Sequence, residues 1–422
     1  IREKRDQLPV WSPPKKTQKR IDCLQLAIKK VAEKRKSLEA LEQKAERPYF
    51  LWHLFFQDVF EQGGFDIVIA NPPYLNANEH KKSKGEVYRN RIKQAYTSAK
   101  KTWDLYVPFF ELAFNISNTD AKICLITPNK YLSAPYAEAL REFLYNSRAI
   151  SSVTDVSRIS VFSNADVYPV VSLINKSVCA EAEQSIQCQF VRQPSDDSYV
   201  FSEPVLLPWE YLHMLPGYIW GFILTPNHSL LRKILTQDRL LRDIATIQAT
   251  TTTSEADEYS GYFVEDQPQS WKVINTGTID PFKNYWGANE MLHQGNRFLR
   301  PTLPKNSKCV SQNRCVMYNS PKILFAKMAK LFEGYYDKCG EFAGVNVNCI
   351  YKADMDWPLA SILAYCNSNC FAYIYDLYYN ALKMAGGYFP FQAPLLKVLP
   401  IPPASEEQKS RLSELAEAAA EA

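Results

Sequence analysis

Phe65-Asp66-Ile67-Val68-Ile69-Ala70-Asn71-Pro72-Pro73-Tyr74 is the stretch on which the fold turns. Gly63-Gly64 punctuate its start, and 65–70 is short, apolar and rich in β-branched residues. That profile predicts a buried strand of a parallel sheet. The proline pair stops the strand, because proline has no N–H to give to a ladder. Stopping a strand does not require an amide before the prolines and an aromatic ring after them. In open α/β sheets, ligands bind just past the carboxyl ends of the strands. Asn71, Pro72, Pro73 and Tyr74 are therefore the candidate site.

Chemistry gives each of them a task. The exocyclic amine of adenine is a poor nucleophile, because its lone pair is delocalised into the ring. The Asn71 carboxamide oxygen and the Pro72 backbone carbonyl can accept its two N–H bonds. This favours a more tetrahedral nitrogen whose lone pair faces a methyl donor. The prolines pre-set these acceptors, so little reorganisation is needed at the moment of reaction. Tyr74 offers a face to a base that has left the duplex. No general base is required, since the proton can leave after methyl transfer.

Working outward, 103–117 reads as a helix with Leu105, Phe109, Leu112 and Phe114 as its apolar stripe. Ile123-Cys124-Leu125-Ile126 is a second buried strand closed by Pro128, 136–145 is helical, and 152–156 and 167–174 are strands. This alternation predicts a parallel α/β sheet covered on both faces. Upstream, 18–46 reads as a basic amphipathic helix, of the kind that ordinarily packs on its own domain. Beyond residue 200, Pro204, Pro208 and Pro216 interrupt the chain; 228–236 is helical, and short strands and turns follow. The expected divisions are a basic helical segment (1–47), half of a catalytic domain (48–210), a second domain (211–403) and a tail (404–422). The end of the tail, 412–422, is expected to fray.

Charge is unevenly placed. Residues 1–47 hold fourteen Lys/Arg and seven Asp/Glu, a balance of +7, so the remainder of a chain of net charge +4 carries −3. Residues 79–101 (eight basic, two acidic) and 283–338 (ten basic, three acidic) form local basic stretches suited to phosphate contact. The segment 81–101 suits a clamp on DNA as well as it suits disorder. Arg297, Arg300, Lys305, Lys308, Arg314, Lys322, Lys327 and Lys330 are candidate DNA contacts, each weighed against a plain solvated charge. The polar run 250–254 reads as a surface turn, and Tyr388 and Phe389 as core. No apolar run of eighteen residues is present and 1–20 has no signal-peptide character, so a membrane partner is not expected and a cytoplasmic location is the default. The ten cysteines include no CxxC and the five histidines no ligand spacing, so no metal is expected.

The quoted stretch resembles motif IV of the amino-group methyltransferases that use S-adenosylmethionine. The approach to it, Leu51-Trp52-His53-Leu54 through Gly63-Gly64, is similar to that of the large type II restriction–modification methylases. So are Asp104-Leu105-Tyr106, Leu125-Ile126-Thr127-Pro128-Asn129-Lys130-Tyr131-Leu132 and Val167-Tyr168-Pro169. Trp271 through Asp280, Tyr285-Trp286-Gly287, Pro321 through Lys327, Ala385 through Phe389 and Leu399 through Pro402 resemble a TaqI-like target-recognition domain. The likeness spans roughly 48–403. It implies a partial Rossmann-like methyltransferase domain followed by an α+β recognition domain, acting on adenine N6 in double-stranded DNA.

The family's donor pocket needs a glycine-rich loop and an acidic residue upstream of motif IV. Residues 1–47 contain no glycine. The resemblance thus implies an N-terminally truncated chain that lacks the main S-adenosylmethionine motif, is inactive alone, and pairs with a missing methyltransferase or nuclease part. Two alternatives stand beside it: a non-catalytic DNA-binding specificity module, and a methyltransferase acting on protein glutamine or RNA, since those also present amines beside a π-system.

Overall fold

The computed structural model describes residues 15–42, 50–76, 79, 82, 85–159, 161, 168–177, 185–195, 198–225, 228 and 230–422. Expectations placed on 1–14, 43–49, most of 77–84 and Val167 lie outside these residues. The chain forms two compact units, Ile1–Gln62 and Gly63–Ala422. In the first, α1 (Lys15–Glu42) is the expected basic helix. Its apolar residues Leu24, Leu26, Ile28 and Val31 are exposed, so the amphipathic pattern is not spent on packing within the unit. Among the described residues, no helix is long and apolar enough to cross a membrane, and no cluster could hold a metal ion.

The second unit begins with β1 (Phe65–Ala70). The helix α2 (Glu86–Ala95) follows, so this part of the 81–101 segment is ordered structure. Next come α3 (Tyr106–Ile116) and β2 (Ser117–Pro128). The buried face of α3 is carried by Tyr106, Val107, Phe110 and Ala113, and the expected stripe Leu105, Phe109, Leu112 and Phe114 is only half-buried, a correction to the face read from the sequence. Alternate residues of β2, Ala121, Ile123 and Leu125, are fully buried, as the period of two requires. Glu111 on α3 accepts the backbone N–H groups of Thr97 and Ser98, tying the segment after α2 to the sheet layer.

Behind these lie α4 (Glu138–Asn146), β3 (Ile150–Asp155), β4 (Pro169–Asn175), β5 (Ser185–Ser195), β6 (Ser198–Phe201) and β7 (Val205–Pro208). The strand order is β1-β2-β4-β3-β5-β6, with β7 also on β5. The sheet is mixed and not wholly parallel: β1 runs parallel to β2 and β3 to β5, while β4 is antiparallel to both its neighbours. Composition could not give that direction, because a strand flanked on both sides reads the same either way.

A second correction concerns β1. It is parallel as expected but occupies the sheet edge, with Ile67 65% and Ile69 79% exposed. Among the described residues it pairs with β2 alone.

The remainder is built of short strands. One four-stranded antiparallel sheet joins β8 (Thr246–Ala249), β12 (Lys322–Ala326), β13 (Gly334–Asp337) and β15 (Val347–Tyr351). Another holds β9 (Val264–Glu265), β10 (Ser270–Ile274), β11 (Pro301–Pro304) and β14 (Phe342–Gly344). The main apolar core runs from the first sheet into the helices α6 (Leu359–Cys366) and α7 (Asn369–Tyr379), so it does not divide at residue 211. At this junction Ser133 donates to the Tyr378 carbonyl at 2.7 Å, and a Cβ at Gly221 would lie 2.1 Å from the same oxygen.

The 250–254 run is not a plain surface turn. Thr250 and Thr251 are buried, and Thr250 donates to the Val347 carbonyl. The C-terminal end does not fray: α8 (Glu406–Glu421) starts at a Ser405 capping box, and Lys338 pairs with Glu417. Phe389 is core as expected, whereas Tyr388 is exposed.

Candidate nucleotide-binding site

Ala70 pairs with Leu125, and the chain then leaves the ladder as Asn71-Pro72-Pro73-Tyr74 while β2 continues to Pro128. Pro72 is buried, Asn71 and Pro73 are exposed, and Tyr74 is half-buried. Tyr74 is held at both ends. Its hydroxyl donates to the Ile126 carbonyl at 3.3 Å, and its ring meets Tyr106 edge-on at 6.4 Å. Burial raises its phenol above the usual value. The Asn71 carboxamide has no hydrogen-bond partner among the described residues, so its oxygen is open to a ligand.

The segment after Tyr74 is sewn to the start of α3. Leu105 N–H donates to the Leu75 carbonyl at 2.7 Å, and Asn76 bridges Asp104. Asp104 accepts from the Tyr136 hydroxyl at 2.7 Å, and that hydroxyl lies 2.9 Å from the Tyr106 hydroxyl. Burial pushes the Asp104 carboxyl up, opposed by the Tyr136 bond and the charge of Lys130.

A cavity of about 340 Å3 opens beside Tyr74. Asp104, Asn129 and Lys130 contribute from the sheet half, and Lys383 and Met384 from the C-terminal part of the chain. Sequence reasoning gave none of these a site role. Asn129 carried a usable signal, since it follows the carboxyl end of β2 as Asn71 follows that of β1. Lys383 carried none, because only the folded chain brings it here.

The basic candidates divide by burial. Arg297, Arg300, Lys305, Lys308 and Lys330 lie on the surface. Arg297 pairs with Glu290 at 2.8 Å and Arg300 with Asp266 at 3.1 Å. Lys305 stands over the Trp271 ring and Lys330 over that of Tyr388. Lys327 is half-buried, and burial lowers its ammonium below the usual value. Arg314 is engaged by Glu255 at 2.8 Å and the Ala249 carbonyl at 2.6 Å. Lys322 is a correction: its side chain is 0% exposed and ion-paired with Asp337 at 2.5 Å, so it faces the core and not DNA. It begins a strand buried along its whole length, which its charge, read alone, concealed.

Gly63 and Gly64 are the only glycines before Asn71. A Cβ at Gly64 would lie 2.7 Å from the Ile116 carbonyl, so this glycine serves close packing of β1 on the end of α3.

The fold is α/β, with the Asn71–Tyr74 segment at the carboxyl ends of a parallel strand pair. Residues 12–162 match the family described as Eco57I restriction-modification methylase. The chain is 27% identical over 177 residues to the type II methyltransferase M.BstVI of Geobacillus stearothermophilus, covering 37% of this chain and 30% of that protein. It is 29% identical over 112 residues to the type II restriction enzyme and methyltransferase RM.Eco57I of Escherichia coli, covering 26% and 11%. The matched stretches therefore span less than a third of these relatives. The fold is similar to that of the type IIL restriction-modification enzyme MmeI, solved in complex with DNA, with a TM-score of 0.51 and 11% identity over 89% of this chain and 51% of that one.

Proposed function

We propose that this chain carries the acceptor side of a restriction–modification DNA methyltransferase acting on adenine N6. The observation that carries the reading is the open Asn71 carboxamide at the end of β1, beside the buried Pro72 and the anchored Tyr74. The amine of a flipped adenine donates one N–H to Asn71 Oδ1 and the other to the Pro72 carbonyl. Tyr74, fixed through its hydroxyl, stacks on the base. The acceptors are already oriented when the nitrogen becomes tetrahedral, so their dipoles stabilise it without further reorganisation. S-adenosylmethionine supplies the methyl group when bound; the residues here orient its acceptor. The surface residues Arg297, Arg300, Lys305, Lys308 and Lys330 contact double-stranded DNA, with Lys327 and Arg314 bracing that face.

The test is transfer of labelled methyl to DNA by the whole enzyme. Asn71→Ala abolishes transfer and leaves DNA affinity largely intact; normal transfer in that variant removes the assignment. The close packing of Gly64 on α3 leaves room for a second reading, a specificity module without catalysis in this chain. The Asn71→Ala transfer assay separates them, since the module predicts normal transfer; tight binding of S-adenosylmethionine to the chain also counts against the module.

A further inference from the structure

A second cavity, of about 810 Å3, shares no lining residue with the one beside Tyr74. Its lining includes Lys352 just after β15, Trp357, the first turn of α6 (Leu359 and Ala360) and Lys409 of α8. Three kinds of donor meet here without an acceptor. Trp357 is 2% exposed, and its indole Nε1–H has no hydrogen-bond partner among the described residues. Buried donors are ordinarily matched, so an unmatched one in a cavity lining calls for an explanation. The helix α6 begins after Pro358, whose side chain has no polar atom, and no side-chain cap closes it. The N–H groups of a first turn have no intrahelical partners and carry the positive end of the helix dipole. Ala360 and Ser361 of that turn are buried, and the Ser361 hydroxyl donates to the Pro358 carbonyl and does not cap the turn. Lys352, the third donor, is exposed over the Tyr351 ring and has no ion-pair partner among the described residues.

The other charges of the lining are already matched. Lys409 pairs with Glu406 at 2.6 Å, Asp354 with Arg239 at 3.7 Å and Glu417 with Lys338 at 2.8 Å. What remains is one ammonium and a set of neutral N–H donors, with each acid of the lining engaged. A ligand that completes this set brings acceptor oxygens and negative charge. A phosphate group does both, and its several oxygens can take an indole N–H, backbone N–H groups and an ammonium at once.

We infer that this cavity is a binding site for a small organic phosphate, whose phosphate group rests on the Trp357 indole N–H, the start of α6 and Lys352. The volume, about 810 Å3, falls within the roughly 300–1,000 Å3 of small-ligand sites, so an organic group has room beside the phosphate. The site is separate from the Asn71–Tyr74 segment and does not depend on the acceptor-side reading.

The experiment follows the indole N–H signals of the whole chain, isotope-labelled in its eight tryptophans, by NMR as glycerol phosphate is added. The Trp357 signal, identified by its absence in Trp357→Phe, is expected to move saturably, while sodium acetate at equal ionic strength leaves it in place. Lys352→Gln alters an exposed position and keeps the fold. It is expected to raise the half-saturating concentration about tenfold, in line with the loss of one charge-assisted hydrogen bond. A Trp357 signal that stays still, that moves equally with acetate, or that saturates at the same concentration in Lys352→Gln overturns the inference. Displacement of glycerol phosphate by a short DNA duplex also overturns it, since the group held here would then be a backbone phosphate and not a small ligand.

Discussion

The carboxyl edge of β1 and the core around β12 treat polar groups in opposite ways. At the edge, the Asn71 amide is exposed, without a hydrogen-bond partner among the described residues. Around β12, Lys322 Nζ donates to Asp337, to the Tyr318 carbonyl at 2.7 Å and to the Ser320 carbonyl at 3.3 Å. Asp337 in turn accepts the backbone N–H groups of Glu341 and Phe342. A charge is tolerated in the interior when every donor and acceptor around it is matched. The difference teaches what each region is for: the satisfied charge is scaffold, and the open amide is where the proposed acceptor role lies.

The sharpest way to break that comparison is to remove one side of the satisfied pair. Lys322→Ala leaves the Asp337 carboxylate buried with backbone donors only, and is expected to cost about 3–5 kcal/mol of stability. The urea midpoint should fall accordingly, whereas Asn71→Ala should not move it. The double variant Lys322→Met, Asp337→Leu should recover only part of the loss, since the Glu341 and Phe342 N–H groups and the Tyr318 and Ser320 carbonyls lose their partners with the pair. A single variant costing less than about 1 kcal/mol would place Lys322 back among surface charges.

The contrast also explains what the sequence made legible. The position of Asn71 at a strand end was readable, because strand composition and the proline break are local properties. The antiparallel direction of β4 was not, because it is set by how the chain returns to the sheet between β3 and β2. Lys322 was misread for a similar reason. Its charge is visible in the sequence, but Asp337, fifteen residues on, becomes its partner only through the β12–β13 pairing. Lys383 reaches the cavity through tertiary packing, which no local pattern encodes.

A smaller effect is expected where a cap, and not a core charge, is satisfied. Thr252 accepts from the Glu255 N–H at 3.1 Å at the start of α5 (Thr253–Tyr259), and the Glu255 carboxylate accepts the Thr252 N–H and binds Arg314. Thr252→Ala should cost about 1 kcal/mol by chemical denaturation. Loss of several kcal/mol would mean that the Arg314 network depends on this cap more than its exposure suggests.

The last prediction is a slope with pH. Burial pushes the Glu333 carboxyl up to about 7, with the Asp280 charge adding to the shift. In the unfolded chain it titrates near ~4.3. The folded protein therefore holds this proton more tightly, and the stability gained from it is present at low pH. It is lost as pH rises from about 4.3 through about 7, because over that range the unfolded chain has given up a proton that the folded chain retains. Glu333→Gln keeps the neutral form at every pH and should flatten this part of the curve. Thermal melts of both proteins in steps from pH 4.5 to 8 isolate the group, since other titrations cancel in the difference. Curves that stay parallel would show that Glu333 reaches solvent, and that this edge of the β12–β13 turn is not closed as the structure has it.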